Sequence, residues 1–248
     1  MPQPTSPKSN PKPLPPWEKV LAAAARLQEI LPGAVLVGGT SASLHARHRL
    51  SRDADHVLKK LNTNFDKVLA QLESVAGWQT TRINRPVLIL GSLDGIETGI
   101  RQLIRTAPLE TTTLTVKDRQ IQIPTSAEIL RIKGVLILKR NATRDYLDFA
   151  ALADHLGPAK TISALKSLDK LYPQPNKAST LQQLQIQLAD PQPFDLEETN
   201  LKEYKNLVPP WTNWSKVKDM CAKAAIAITE KLARANQPKK PASPPPSL

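Results

Sequence analysis

The chain has 248 residues, a formal net charge of +12, 40% hydrophobic but only 4% aromatic residues, and one cysteine, Cys221. This length fits one sizeable domain or two small ones, with a core of Leu, Ile, Val and Ala. A lone cysteine excludes an internal disulfide and a cysteine-based zinc cluster and fits a reducing, cytoplasmic setting; the first residues lack the apolar stretch of a secretory signal, and no apolar run approaches the ~18 residues of a membrane span.

Residues 1–16 and 236–248 are rich in Pro, Ser and Lys, with little to bury, and read as disordered or extended tails. Residues 17–31 carry Val20, Leu21, Ala24, Leu27, Ile30 and Leu31 at helical spacing, and Pro32-Gly33 stops the helix. A short apolar strand over 34–37 meets the Gly38-Gly39 turn, and residues 40–47 open a helix. Residues 54–58 read as the next strand and 62–75 as an amphipathic helix ended by Gly77. Residues 87–90 and 95–100 form a strand and its hairpin partner; 114–116 and 121–123 flank a turn at 117–120. Thr125-Ser126-Ala127-Glu128 resembles a capping box, with Thr125 capping and Glu128 reaching back, and starts a helix to about Leu138. Helices are then expected over 145–155, 162–171, 180–188, 196–204 and 211–235. The reading is α/β (α+β): a small mixed sheet with flanking helices over 17–124, then a helical half over 125–235.

Two short motifs carry chemistry. Gly38-Gly39-Thr40-Ser41 joins a strand to a helix start, where glycine backbone, free N–H groups and two hydroxyls suit phosphate, although an ordinary turn has the same form. Asp53 and Asp55 at i and i+2 on a strand share a face, and two adjacent carboxylates repel unless a cation lies between them. Such oxygen ligands suit Mg²⁺ (or Mn²⁺) shared with substrate phosphates, while a polar surface loop is the bland alternative.

In this order the motifs resemble the active-site signature of the nucleotidyltransferase superfamily with the DNA polymerase β-like fold. The run Glu128-Ile-Leu-Arg-Ile-Lys133, then Arg140, then Arg144-Asp145-Tyr-Leu-Asp148, is similar to the helical motif of the AbiEii/AbiGii toxin family. The resemblance covers roughly residues 35–156. It implies that Gly38, Gly39, Thr40 and Ser41 grip the triphosphate of an NTP and that Asp53 and Asp55 hold the metal. It implies that Lys133 neutralises phosphate charge, and that Arg140 and Arg144 bind phosphate or an RNA backbone. Asp145 orients Lys133, acts as a base, or bridges helices; without the resemblance these charges read as ion pairs lacing two helices. A third metal carboxylate is expected where Gly99 stands; Glu97, on the same strand face, is nominated, with Asp94 the weaker candidate. The implied reaction moves NMP from an NTP to an acceptor hydroxyl, with RNA, foremost tRNA, favoured by the basic charge. The implied role is the toxin of a toxin–antitoxin or phage-defence pair, with an antitoxin partner and no membrane. A protein hydroxyl as acceptor, or a catalytically inactive basic nucleic-acid binder of the same fold, are the alternatives.

Other candidates are weaker. His45, His48 and His56 lack a Cys or further His to complete a zinc site. Arg47, Arg49, Arg52, Arg101 and Arg105 either meet phosphates or solvate loops. Trp211 and Trp214 suit packing better than base stacking, and Lys216, Lys218, Lys223, Lys231 and Arg234 on the last helix form a solvated face or an RNA-docking surface.

Overall fold

The computed structural model describes residues 14–235; apart from residues 14–16, the two expected tails lie outside them. The described chain forms two compact units that are not contiguous in sequence. The first takes the chain up to Thr40, Leu50–Leu103 and Thr113–Ile123; the second takes Ser41–Arg49, Ile104–Thr112 and the chain from Pro124. A single boundary at 124/125 therefore misplaces two segments.

The first unit is a five-stranded mixed sheet. Its strands are β1 (Val35–Leu36), β2 (Ala54–Leu58), β3 (Trp78–Asn84), β4 (Leu88–Leu93) and β5 (Ile96–Gln102), in the order β1-β2-β5-β4-β3. β2 and β5 run parallel; the other pairs are antiparallel. Asp94 and Gly95 both take positive φ in the tight turn between β4 and β5, which suits the Asp-Gly sequence. Helices α1 (Trp17–Ile30) and α3 (Phe65–Glu73), with Leu31 just past the end of α1, pack Leu27, Leu31, Phe65, Val68 and Leu72 on Trp78, Ile89, Leu93 and Ile100. Those residues all lie on one sheet face, so the strand alternation leaves the other face without these two helices. β3 was not expected from sequence: after the buried Trp78 every residue is exposed, so an edge strand shows no alternation. A two-stranded ribbon, β6 (Thr111–Val116) and β7 (Arg119–Pro124), is tied to α1 by the Gln28 side chain, which bonds both backbone groups of Gln122.

The chain leaves the first unit inside α2 (Gly38–Ala46), between Thr40 and Ser41. In the second unit α4 (Ser126–Arg140), α5 (Thr143–Leu156), α6 (Pro158–Leu165), α7 (Leu168–Leu171), α8 (Thr180–Ala189) and α9 (Trp214–Ala235) enclose Ile129, Tyr146, Phe149, Leu152, Leu184, Val217 and Cys221, joined by Ala42 of α2. Thr125 caps α4 as expected, accepting from the Glu128 N–H, but Glu128 does not reach back. Its carboxylate instead meets Arg105 at 2.9 Å and Arg131 at 2.8 Å and accepts from the Glu110 N–H, because two buried guanidiniums outcompete one backbone donor. Ala142 cannot cap α5; Asp195 does so from a distant loop, accepting from the Thr143 N–H at 2.6 Å and its hydroxyl at 2.7 Å.

Two helix expectations need correction. Residues 162–171 are two pieces, α6 starting at Pro158 in the first helical turn, and the short α7. Residues 196–204 form turns, in which Thr199 donates to the Asp195 carbonyl and Asn200 accepts from the Lys202 N–H; such local bonds compete with a helix. The last helix begins at Trp214, and Trp211 is core.

Candidate active site

In the first unit the Gly-Gly turn lies beside the acidic strand. Val37 N–H donates to the Asp55 carbonyl at 2.8 Å, and a Cβ placed on Gly38 would stand 3.6 Å from the Asp55 Cβ and 3.7 Å from its Oδ2. The backbone of Gly38 thus borders the Asp55 carboxylate. The Thr40 hydroxyl donates to the Asp53 carbonyl at 2.5 Å, fastening the turn to the strand, and the Ser51 hydroxyl donates to Asp53 Oδ1 at 2.7 Å. Asp53 and Asp55 are both half-buried and alternate with the buried Ala54 and His56. They face the side of the sheet opposite α1 and α3. Asp55 is in register with Gly99 on β5. A Cβ on Gly99 would meet Leu90 Cδ2 at 2.7 Å and Asp55 Oδ1 at 2.9 Å, so these two side chains close over the glycine. Of the motif hydroxyls, Ser41 is fully buried and its Oγ has no hydrogen-bond partner among the described residues.

The second unit holds a buried charge network. Lys133 on α4 and Asp145 and Asp148 on α5 are at most 1% exposed. Lys133 Nζ lies 2.6 Å from Asp148 Oδ2 and 3.2 Å from Asp145 Oδ1. Arg140 closes on Asp145, donating from its NH2 to Oδ1 at 2.7 Å. Arg49 holds both oxygens of Asp148, at 2.8 and 2.9 Å, and His48 Nε2 donates to Oδ1 at 2.7 Å. Burial alone would raise the Asp148 pKa, yet Arg49 and Lys133 beside it hold the carboxyl well below the usual range. Burial pushes His48 below its ordinary value against the pull of Asp148. Asp145 therefore orients Lys133 and bridges α4 to α5, and Lys133 points at two carboxylates.

The sequence profile of the AbiEii nucleotidyl transferase toxins of type IV toxin–antitoxin systems matches residues 19–224, most of the chain. The chain belongs to the AbiEii family. Its fold is that of JHP933 from Helicobacter pylori, at a TM-score of 0.52 and 16% identity over 88% of this chain and 93% of that one. A second Helicobacter pylori structure gives 0.53 at 16% identity, covering 89% and 96%. The heme uptake protein MmpL11 of Mycobacterium tuberculosis is 38% identical over 130 residues, 51% of this chain; the chain spans only 13% of that protein's length.

Within this AbiEii chain several nominated residues fall elsewhere. Among the described residues no three His, Cys, Asp or Glu side chains are grouped to hold a metal ion, so Glu97 does not complete a triad with Asp53 and Asp55. Asp53 precedes the first paired residue of β2 and its carboxylate engages Ser51, while Glu97 is exposed. Asp94, the weaker candidate, stands in the β4–β5 turn in an ion pair with Arg26 at 2.5 Å. Arg105 does not face a substrate; it is buried between Glu128 and Tyr172. Arg144 is exposed on α5 and Arg101 on β5. The three histidines have separate uses. His45 donates to the Pro124 carbonyl and accepts from Ser126, His48 serves Asp148, and His56 donates from Nδ1 to the Ala54 carbonyl. Trp214 packs edge-on against Tyr146. Asp148, His48 and Arg49 are the members of the network that sequence reasoning did not nominate for the site; the Asp-x-x-Asp spacing on α5, which puts both carboxylates on one helix face, was the available signal.

Proposed function

We propose that this protein is a metal-dependent nucleotidyltransferase and the toxin of a toxin–antitoxin pair acting in the cytoplasm. It would join an acceptor hydroxyl oxygen to the α-phosphorus of an NTP, break the bond to the β-phosphate oxygen and release pyrophosphate. RNA, foremost tRNA, is the favoured acceptor, since a formal charge of +12 draws a polyanion. The observation that carries this reading is the approach of the Gly38 backbone to Asp55, with Asp53 beside it on the same face. The two half-buried carboxylates suit Mg²⁺ or Mn²⁺ completed by substrate phosphates and water; bound there, the ion would neutralise charge on the transferred phosphoryl group. Gly38 and Gly39 would admit the triphosphate close to the backbone, with Thr40 holding the turn in place. Lys133 is buried against Asp145 and Asp148, so of the nominated cations the half-buried Arg140 and the exposed Arg144 are the proposed phosphate contacts. The test is NTP incorporation into total RNA with Mg²⁺, comparing wild type with Asp53→Ala/Asp55→Ala. Labelled RNA with wild type and none with the variant is expected; no labelling of RNA or protein by any NTP overturns the enzyme reading.

Gly99, which stands beside Asp55 on β5 where the resemblance would put a third acid, supports a second reading, an inactive nucleic-acid binder of the same fold. It predicts RNA binding without incorporation, which the same assay separates.

A further inference from the structure

Ser126, the first residue of α4, shares a hydrogen bond with a histidine. Its Oγ lies 3.0 Å from Nδ1 of His45 on α2, and His45 Nε2 lies 2.8 Å from the Pro124 carbonyl oxygen. A carbonyl oxygen only accepts, so Nε2 carries the ring proton of the neutral imidazole. Nδ1 is then the bare nitrogen, and Ser126 donates its hydroxyl proton to it. Burial, aided by the nearby His155, lowers the His45 pKa although the Pro124 carbonyl pulls the other way, so the ring is unprotonated at pH 7. A hydroxyl, a base that receives its proton and a third group that fixes the base make up a nucleophile's arrangement. All three belong to the second unit.

The backbone around Ser126 suits attack by this oxygen. Thr125 takes the Glu128 N–H on its hydroxyl and the Ile129 N–H on its carbonyl. The N–H groups of Ser126 and Ala127, on either side of the Ser126 Cα, are left without an acceptor among the described residues. They lie at the positive end of a 15-residue helix, and two such donors match the single negative charge of a carbonyl adduct. Ser126 and His45 are half-buried rather than sealed, so a small molecule reaches the hydroxyl. Other serines differ. Ser51 and Ser179 give their protons to the carboxylates of Asp53 and Asp169, which, with an ordinary pKa of about 4, are far weaker bases than imidazole.

We infer that Ser126 and His45 form an acyl-transfer site that uses neither NTP nor metal. Its substrate class is a small carboxylic ester. The Ser126 Oγ attacks the carbonyl carbon while its proton moves to His45 Nδ1. Negative charge on the former carbonyl oxygen falls to the Ser126 and Ala127 N–H groups. As the carbonyl re-forms, the bond to the alcohol oxygen breaks and that oxygen takes the proton from His45. Ser126 is left carrying the acyl group as an ester. Water, giving a proton to the freed His45, then attacks the acyl carbon; the acid departs and Ser126 regains its proton, so the sum is ester hydrolysis.

The test treats the full chain with p-nitrophenyl acetate at pH 7, follows p-nitrophenolate release by absorbance and locates the acetyl group by peptide mass spectrometry. Wild type should acetylate Ser126, and Ser126→Ala should lose that adduct together with the release tied to it. His45→Gln keeps a donor for the Pro124 carbonyl and an acceptor for the Ser126 hydroxyl but has no basic nitrogen. It should slow acetylation of Ser126 about a hundredfold, the contribution of a general base, while its thermal midpoint stays near that of wild type. A bond that only fastens α2 to α4 gives the opposite pair of results, a lowered midpoint in the variant and no acetylation of Ser126 in wild type. Urea-unfolded wild type supplies a comparison that needs no variant, and Ser126 should be acetylated at least tenfold faster in the folded chain. Equal rates in the folded and unfolded chain overturn the inference, as does His45→Gln within threefold of wild type, or acetyl groups on lysines alone.

Discussion

Lys133 and Asp148 meet at 2.6 Å with neither side chain more than 1% exposed. The pair joins α4 to α5, and Arg49 and His48 complete the shell of Asp148. Removing Asp148 leaves Arg49 and Lys133 buried with a missing partner, a loss of about 3–5 kcal/mol. Asp148→Ala should show this as a lower urea midpoint, whereas Asp53→Ala, at a half-buried carboxylate, should stay within about 1 kcal/mol of wild type. Because the folded-state pKa of Asp148 is depressed, its contribution is present above the ordinary carboxylate pKa and fades as pH falls through the folded value. An Asp148→Ala protein as stable as wild type at pH 7 would contradict the network's structural weight.

Gly99 sets a second prediction. A methyl group there is pressed against Leu90 Cδ2 and Asp55 Oδ1. Gly99→Ala should cost about 1–3 kcal/mol, as overpacking does, and Leu90→Ala in the same chain should recover much of it. Thermal melting of the two single variants and the double variant measures the coupling; strict additivity would show that the crowding has no energetic effect.

A carboxylate at that register position would have to displace Leu90 and Asp55, and Glu97 stands two residues along β5 from it. Asp55→Asn should lower NTP incorporation about a thousandfold, the several kcal/mol of a lost metal carboxylate. Glu97→Gln should lower it less than tenfold. Steady-state incorporation at saturating Mg²⁺ gives both values, and equal losses would return Glu97 to the metal site.

His56 gives the protein a pH-sensitive core. Burial lowers its pKa from 6.5 to about 4, so the folded protein holds it neutral where the unfolded chain already binds a proton. Stability from this group is complete above pH 6.5 and is lost as pH falls toward 4, by up to about 3 kcal/mol. Urea unfolding of wild type and His56→Leu at pH 7, 5.5 and 4.5 should show a shallower decline in the variant. Parallel declines would assign the acid sensitivity to other groups.

Much of this was legible in the sequence where a residue's role depends on near neighbours. The apolar spacing of α1, the pairing of the β4 and β5 segments as a hairpin, the Thr125 cap and the Asp53/Asp55 alternation all follow from local rules. What was hidden depends on residues far along the chain. The cap of α5 comes from Asp195, and the partner that takes Glu128 away from its own helix start is Arg105. The exposed β3 has no buried periodicity to reveal it, and the place of Glu97 followed from which strand lies beside which. Lys133 was singled out by resemblance to a motif; that its nearest carboxylate is Asp148 required the packing of two helices and of the segment bearing Arg49.

That segment has a practical consequence. The backbone passes between the two units within α2, returns at Leu50, leaves again at Ile104, returns at Thr113 and leaves at Pro124. Neither unit is therefore a severable piece of the gene. A fragment ending at residue 124 would retain His48 and Arg49 without Asp148, and one beginning at residue 125 would retain Asp148 and Glu128 without Arg49 and Arg105. Insertion, truncation or circular permutation would have to respect this interlacing, and the natural chain must be complete through α9 before the second unit has all of its partners.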